Sequence, residues 1–142
     1  MIKIPIANPS IDAREATAAY KVIKKGWISM GSQVAKLEKK IEKYLGLKHA
    51  ILFNNGTSAL HAALSFYGIK KGDEVIVPTL SYISSANVVV YCGAKPIFCE
   101  VDPDTFNVDA KEIIKKITKK TKAIITVDLK GMPVDYDNLK KN

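Results

Sequence analysis

Arginine is almost missing from this sequence: of 22 basic residues, only Arg14 is not a lysine. A nucleic-acid surface gathers arginines and lysines on one element. Here the lysines are scattered as pairs, Lys24-Lys25, Lys39-Lys40, Lys70-Lys71, Lys115-Lys116, Lys119-Lys120 and Lys140-Lys141. Most fall in or just after the last turn of an expected helix, where a cation meets the negative end of the macrodipole. The net charge of +8 therefore reads as a solvated surface, and nucleic-acid binding as a main role is excluded. Cysteine is scarce too. Cys92 and Cys99 form no C-x-x-C pair, and with only His49 and His61 for company they exclude a zinc site and a disulfide scaffold. Asp102, Asp104 and Asp109 lack the glycine bend of a calcium loop, and Phe106 stands where a ligand belongs, so no metal site is expected. Long apolar runs are absent: Val88–Cys92 and Ala123–Val127 fall far short of the roughly 20 residues that span a bilayer. Met1–Pro5 has no signal-peptide pattern, which points to the cytoplasm.

What is present is ordinary globular material, 47% apolar and 25% charged, enough for one domain with a core. The opening is helical. Ser10 or Asp12 can cap it, with Glu15 completing a capping box after Asp12, before an apolar face of Ala16, Ala19, Tyr20 and Ile23, and Gly26 ends the helix. A second helix runs from near Ser32 to Gly46 with Val34, Leu37, Ile41 and Tyr44 on its stripe. From His49 the pattern alternates. Strands are expected at Ala50–Phe53, Glu74–Pro78, Pro96–Val101 and Ala123–Val127. Helices are expected from Thr57 through Tyr67 (Leu60, Ala63, Leu64 and Tyr67 inward), from about Ser84 to Cys92, from Asp109 with Glu112 to about Ile117, and after Asp135. Apolar strands without alternation, joined by helices of about ten residues, predict an α/β fold with a mainly parallel sheet covered on both faces.

In such sheets, ligands bind at the carboxyl ends of strands. Asn54-Asn55-Gly56-Thr57-Ser58 is the junction that best suits one. Gly56 lets backbone approach a ligand, and Thr57 and Ser58 set hydroxyls and first-turn N–H groups where a phosphate would be stabilised. The same residues also suit a common Ser/Thr helix cap. At the end of the next strand, Tyr82 offers either a stacking face for a flat cofactor or a core aromatic ring.

Six segments then occur in order: Gly26-Trp27-Ile28-Ser29-Met30-Gly31, Gly56-Thr57-Ser58-Ala59-Leu60-His61, Gly72–Pro78, Gly93-Ala94-Lys95-Pro96, Val101-Asp102-Pro103-Asp104-Thr105 and Thr121–Ile125. Together they closely resemble the DegT–StrS family of nucleotide-sugar aminotransferases over essentially the whole chain. The resemblance implies the N-terminal part of a fold-type-I large domain, a three-layer α/β/α arrangement, with pyridoxal 5′-phosphate (PLP) as cofactor. It implies amino transfer, usually from glutamate, onto a nucleotide-linked keto-sugar in surface-polysaccharide or amino-sugar biosynthesis. By position, Gly56, Thr57 and Ser58 match the residues around the cofactor phosphate and Tyr82 the ring that stacks on the pyridine. Trp27–Gly31 matches a loop near the sugar, with Trp27 and Ser29 as substrate contacts. Where relatives often read Val-His-Leu-Tyr-Gly, this chain has Val127-Asp128-Leu129-Lys130-Gly131, and it has Met132-Pro133 in place of Gln-Pro. Asp128 is not the carboxylate expected to pair with the pyridinium nitrogen.

The resemblance also implies a single partial domain: N-terminal helices over 1–48, the cofactor-phosphate part over 49–142, and no C-terminal small domain. The Schiff-base lysine would lie past residue 142, so no catalytic residue is expected here. In the family's sheet the third, second and fourth strands stand together while the first stands at the far side. The strand carrying the phosphate cradle is thus expected to lack a neighbour, and the chain to be oligomeric, rearranged or completed by a second polypeptide. The alternative is a non-catalytic remnant that binds phosphate or PLP, or that pairs with an intact relative.

Overall fold

The computed structural model describes residues 8–141, so the reading of Met1–Pro5 lies outside the described residues. The described chain forms two compact units, one ending at Leu52 and the other beginning at Phe53.

The described part of the first unit is two helices and the segment that follows them. Helix α1 (Ala13–Lys24) opens with the predicted capping box: the Asp12 carboxylate accepts from the Arg14 N–H, and Glu15 accepts from the N–H of Asp12. Helix α2 (Ser32–Leu45) stops at Gly46, whose left-handed backbone lets its N–H reach the Glu42 carbonyl. The helical spacing is as read, but not every stripe is covered. Tyr20, Ile23, Leu37 and Tyr44 are all exposed, Tyr44 to 88%.

The segment Ala50–Phe53 departs from its expected strand: among the described residues it pairs with no strand. An extended chain becomes a strand only when a neighbour accepts its N–H groups. Here helix α2 accepts them instead. The Ala50 N–H donates to Glu42 at 3.3 Å and the Leu52 N–H to Glu38 at 3.0 Å. The spacing explains the fit. Alternate N–H groups of an extended chain repeat about every 6.6 Å, and carboxylates four residues apart on a helix repeat about every 6 Å. Lys39 also holds Glu42, at 2.7 Å. That ammonium, ahead of the Ala50 N–H, keeps the Glu42 carboxyl below its ordinary value of 4.5. The folded state therefore binds this proton more weakly than the unfolded chain does. Its contribution is complete above about pH 5 and fades as pH falls through the lowered value. Glu42→Gln is expected to lower stability near neutrality and to match the wild type in acid. Urea titrations over a pH series check this, and a constant difference at every pH would refute it.

The second unit is the expected α/β layer structure. Helix α3 (Gly56–Phe66) leads into strand β1 (Glu74–Pro78), then α4 (Ser84–Tyr91), β2 (Lys95–Cys99), α5 (Ala110–Lys116), β3 (Thr121–Ile124), a 3₁₀ turn at Leu129–Gly131 and α6 (Tyr136–Lys141). The three strands are parallel in the order β2-β1-β3, the expected block of three. β3 begins two residues before its expected start, although the Ile125 N–H still reaches the Ile76 carbonyl at 2.8 Å. β2 ends at Cys99 because Val101 turns away to pair with Val108 in an isolated antiparallel bridge.

Alternation along the central strand builds two cores. Val75 and Val77 face Leu64 of α3 and Val88 and Val89 of α4. Ile76 faces the other way, onto Cys99, Val108, Ile113 and Val134. All three β1 side chains are fully buried, worth about 1.5–3 kcal/mol each. On α3 only Leu64 is buried, with Leu60 packed beside it one turn earlier. Ala63 and Tyr67 were expected inward but are exposed, because one narrow stripe meets the sheet and Tyr67 already lies past the helix end. Cys99 is buried, which pushes its thiol up, while Cys92 is only partly covered.

Asp102 accepts the N–H groups of Asp104 and Thr105, and Asp109 and Asp135 accept those of Lys111 and Asn138. These are the turn and cap roles read from the sequence. Among the described residues no group of three or more His, Cys, Asp or Glu could hold a metal ion. None of the described helices is long and apolar enough to cross a membrane.

Candidate functional site

The short turn after α3 returns the chain into β1, and α3 packs beside α4 against the Val75 and Val77 face. α3 therefore runs against the strand direction, and its N-terminus stands at the end where β1 finishes. Tyr82 follows that strand end by four residues, just before α4. Gly56, Thr57 and Ser58 open α3 and Tyr82 lies just ahead of α4, the two helices that pack together in this unit.

Asn55, not a serine or threonine, caps α3. Its side-chain oxygen accepts from the Ser58 N–H at 2.8 Å, and its carbonyl accepts from the Ala59 N–H at 3.3 Å. The ambiguity left by the sequence is thereby resolved in one respect: the Thr57 and Ser58 hydroxyls are not spent on capping. Neither hydroxyl has a hydrogen-bond partner among the described residues, nor do the first-turn N–H groups of Gly56 and Thr57. A β-carbon placed on Gly56 would meet nothing within 4 Å, so the space over the first turn is open. Two N–H donors, two hydroxyls and the positive end of an eleven-residue helix suit a phosphate. Asn55 was missed in the sequence because Asn-Asn-Gly reads as a turn. Its place three residues ahead of Ser58 was the available signal.

Tyr82 is 77% exposed, so its ring is not part of either core of this unit. Its carbonyl accepts from the Ser85 N–H at 3.0 Å, anchoring the backbone at the start of α4 while the ring stays accessible. The end of β1 is tied down nearby: Thr79 donates its N–H to the Cys99 carbonyl at 2.9 Å and its hydroxyl to Glu100 at 3.3 Å. Asp128 accepts from the Val134 N–H and the Tyr136 hydroxyl, both at 3.0 Å, and so holds its own loop. The buried Asn107 pins the same loop, donating to the Met132 carbonyl and accepting from the Leu129 N–H.

Trp27 and Ser29 belong to the other unit, on the turn between α1 and α2. Both are exposed, and they border a groove of about 1080 Å³ that includes Val22, Gly31 and Val34.

The model of the DegT/DnrJ/EryC1/StrS aminotransferase family matches residues 9–142. The chain is 48% identical over 136 residues to a GDP-perosamine synthase of Caulobacter vibrioides, covering 95% of this chain and 37% of that protein. It is 37% identical to a UDP-4-amino-4-deoxy-L-arabinose–oxoglutarate aminotransferase of Shewanella sediminis, covering 94% and 34%. Among solved structures, it superimposes with a TM-score of 0.91 on a protein described as a sugar aminotransferase of Streptococcus pneumoniae in its PLP form. That match has 35% identity and covers 99% of this chain and 36% of the other. The chain therefore spans little more than a third of the length of these proteins.

Proposed function

The chain belongs to the DegT/DnrJ/EryC1/StrS aminotransferase family and has the fold of the N-terminal part of a fold-type-I large domain, and from that premise we propose that it carries the cofactor-phosphate site of a nucleotide-sugar aminotransferase. The observation that carries this reading is the start of α3, where Asn55 does the capping and leaves Gly56, Thr57 and Ser58 with donors to spare. These residues would hold the phosphate of PLP, and the exposed Tyr82 ring would cover one face of its pyridine. Bound PLP supplies an electron sink through which an amino group passes between donor and acceptor. The residues of this chain hold and orient it. Thr57 and Ser58 donate hydrogen bonds to phosphate oxygens, and the helix dipole favours the phosphate charge. Trp27 and Ser29 would contact the nucleotide-linked keto-sugar, with glutamate as amino donor. No residue of this chain is assigned the proton transfers.

The test uses a ligand that cannot react with the 21 lysines. Pyridoxine 5′-phosphate lacks the aldehyde of PLP, and pyridoxine lacks the phosphate as well. Calorimetric titration is expected to show the phosphate ester binding at least about tenfold more tightly than pyridoxine, since each charge-assisted hydrogen bond is worth about 1.5–3 kcal/mol. Equal affinities, or none for either, would remove the phosphate site from this chain.

A further inference from the structure

The turn between α1 and α2 is closed by a contact that only glycine admits. Gly26 ends α1, donating its N–H to the Ile23 carbonyl at 2.8 Å, and Gly31 is the N-cap of α2. Between them the Trp27 indole folds back. Its Nε1–H donates to the Met30 carbonyl at 2.9 Å, and the ring lies against the Gly31 α-carbon. A β-carbon on Gly31 would stand 2.5 Å from Cδ1 and 2.6 Å from Nε1 of that ring. Carbon atoms in contact sit about 3.5–4.0 Å apart, so a side chain at position 31 makes the indole shift from this seat. The backbone does not require glycine there. Its φ of −145° is extended, a conformation any residue adopts, and a serine or aspartate would cap α2, which has no side-chain cap. The indole is what excludes a larger residue.

The clamp fixes a short apolar turn whose side chains face outward: Ile28 is 85% exposed and Met30 70%. Ser29 stands between them, exposed and with no hydrogen-bond partner among the described residues. We propose that Gly31 is a positioning residue for substrate: its bare α-carbon seats Trp27, and the seated indole fixes the turn that presents Ser29 to the sugar of a nucleotide sugar. This rests on the assignment of Trp27 and Ser29 made above. Holding the turn before the ligand arrives removes the ordering that binding would otherwise require, which is where Gly31 acts on affinity.

Trp27 is the single tryptophan, so intrinsic fluorescence of the 142-residue chain reads this ring alone. Gly31→Ala is expected to red-shift the emission and to raise acrylamide quenching, with the far-ultraviolet circular dichroism unchanged. Gly31→Ser, able to cap α2, is expected to behave like Gly31→Ala and so to separate ring displacement from helix initiation. With GDP-mannose as the probe, Gly31→Ala is expected to weaken binding about tenfold, whereas in a Trp27→Ala background the same change has less than about a twofold effect. Wild-type emission and quenching in Gly31→Ala would overturn the clamp. Additive losses in the double variant would overturn its action through Trp27. If Gly31→Ala does not fold, Trp27→Phe, which deletes the Nε1–H and leaves Gly31, is expected to weaken GDP-mannose similarly, and unchanged affinity would refute the role. A wild-type chain that ignores GDP-mannose overturns the substrate assignment and the positioning role with it. The quenching result still shows whether the clamp exists.

Discussion

Ile76→Ala is expected to destabilise the second unit by about 2–5 kcal/mol, the range for removing a buried isoleucine side chain beyond its β-carbon and leaving a cavity. Ile76 is the middle residue of the central strand, fully buried among Cys99, Val108, Ile113 and Val134. Those neighbours come from β2, the bridge after it, α5 and the loop before α6, so the void would be lined by four separate segments. Collapse of one cannot fill it without dragging the others, which places the expected cost toward the upper part of that range. The matched control is Ile51→Ala. Both isoleucines sit in apolar runs that read as strands, yet Ile51 is 71% exposed and its loss is expected to cost less than about 0.5 kcal/mol. Urea denaturation followed by circular dichroism compares the two. Similar losses at both positions would mean that Ile51 is covered in solution.

That pair also marks where the sequence stops being readable. Glu74–Pro78 is a strand with the bounds its residues suggest, because β1 has a partner on each side and helices over both faces. Ala50–Phe53 has the same local character, but being a strand depends on a neighbour, and no local pattern supplies one. The caps were legible for the opposite reason. Asp12 with Glu15, and Asp135 with Asn138, close within three residues of chain, so sequence and structure hold the same information. Amphipathic spacing told which side of α1 and α2 is apolar, but Tyr20 and Tyr44 show that it does not tell what covers that side. In the candidate site, Gly56, Thr57 and Ser58 could be found because a helix N-terminus is a local object. Whether the Thr57 and Ser58 hydroxyls cap the helix could not be told until Asn55 was seen holding the Ser58 N–H. The seat of Trp27 on Gly31 was out of reach, since Gly31 reads as a flexible joint until the ring is placed against it.

Ser58→Asp should separate the two things the start of α3 can do. Ser58 occupies the first turn, where a carboxylate interacts favourably with the macrodipole by about 0.3–1 kcal/mol, and its N–H stays bonded to Asn55 whatever side chain it bears. Folding is therefore expected to be unchanged or slightly improved. Ligand binding should move the other way. Two unit charges about 5 Å apart at an effective dielectric constant of about 20 repel by roughly 3 kcal/mol, so pyridoxine 5′-phosphate affinity should fall at least about a hundredfold. Ser58→Ala, which removes the hydroxyl and adds no charge, should lose about tenfold or less. High salt should narrow the gap between the two variants, because screening acts on the repulsion and not on the missing hydroxyl. Calorimetry with pyridoxine 5′-phosphate at low and high salt, alongside thermal melts of the free variants, measures all of these. A variant that is as stable as expected yet binds the ester like the wild type would place the phosphate elsewhere. One that loses stability and affinity together would show that Ser58 serves the helix, and that the hydroxyls at its start were never kept for a ligand.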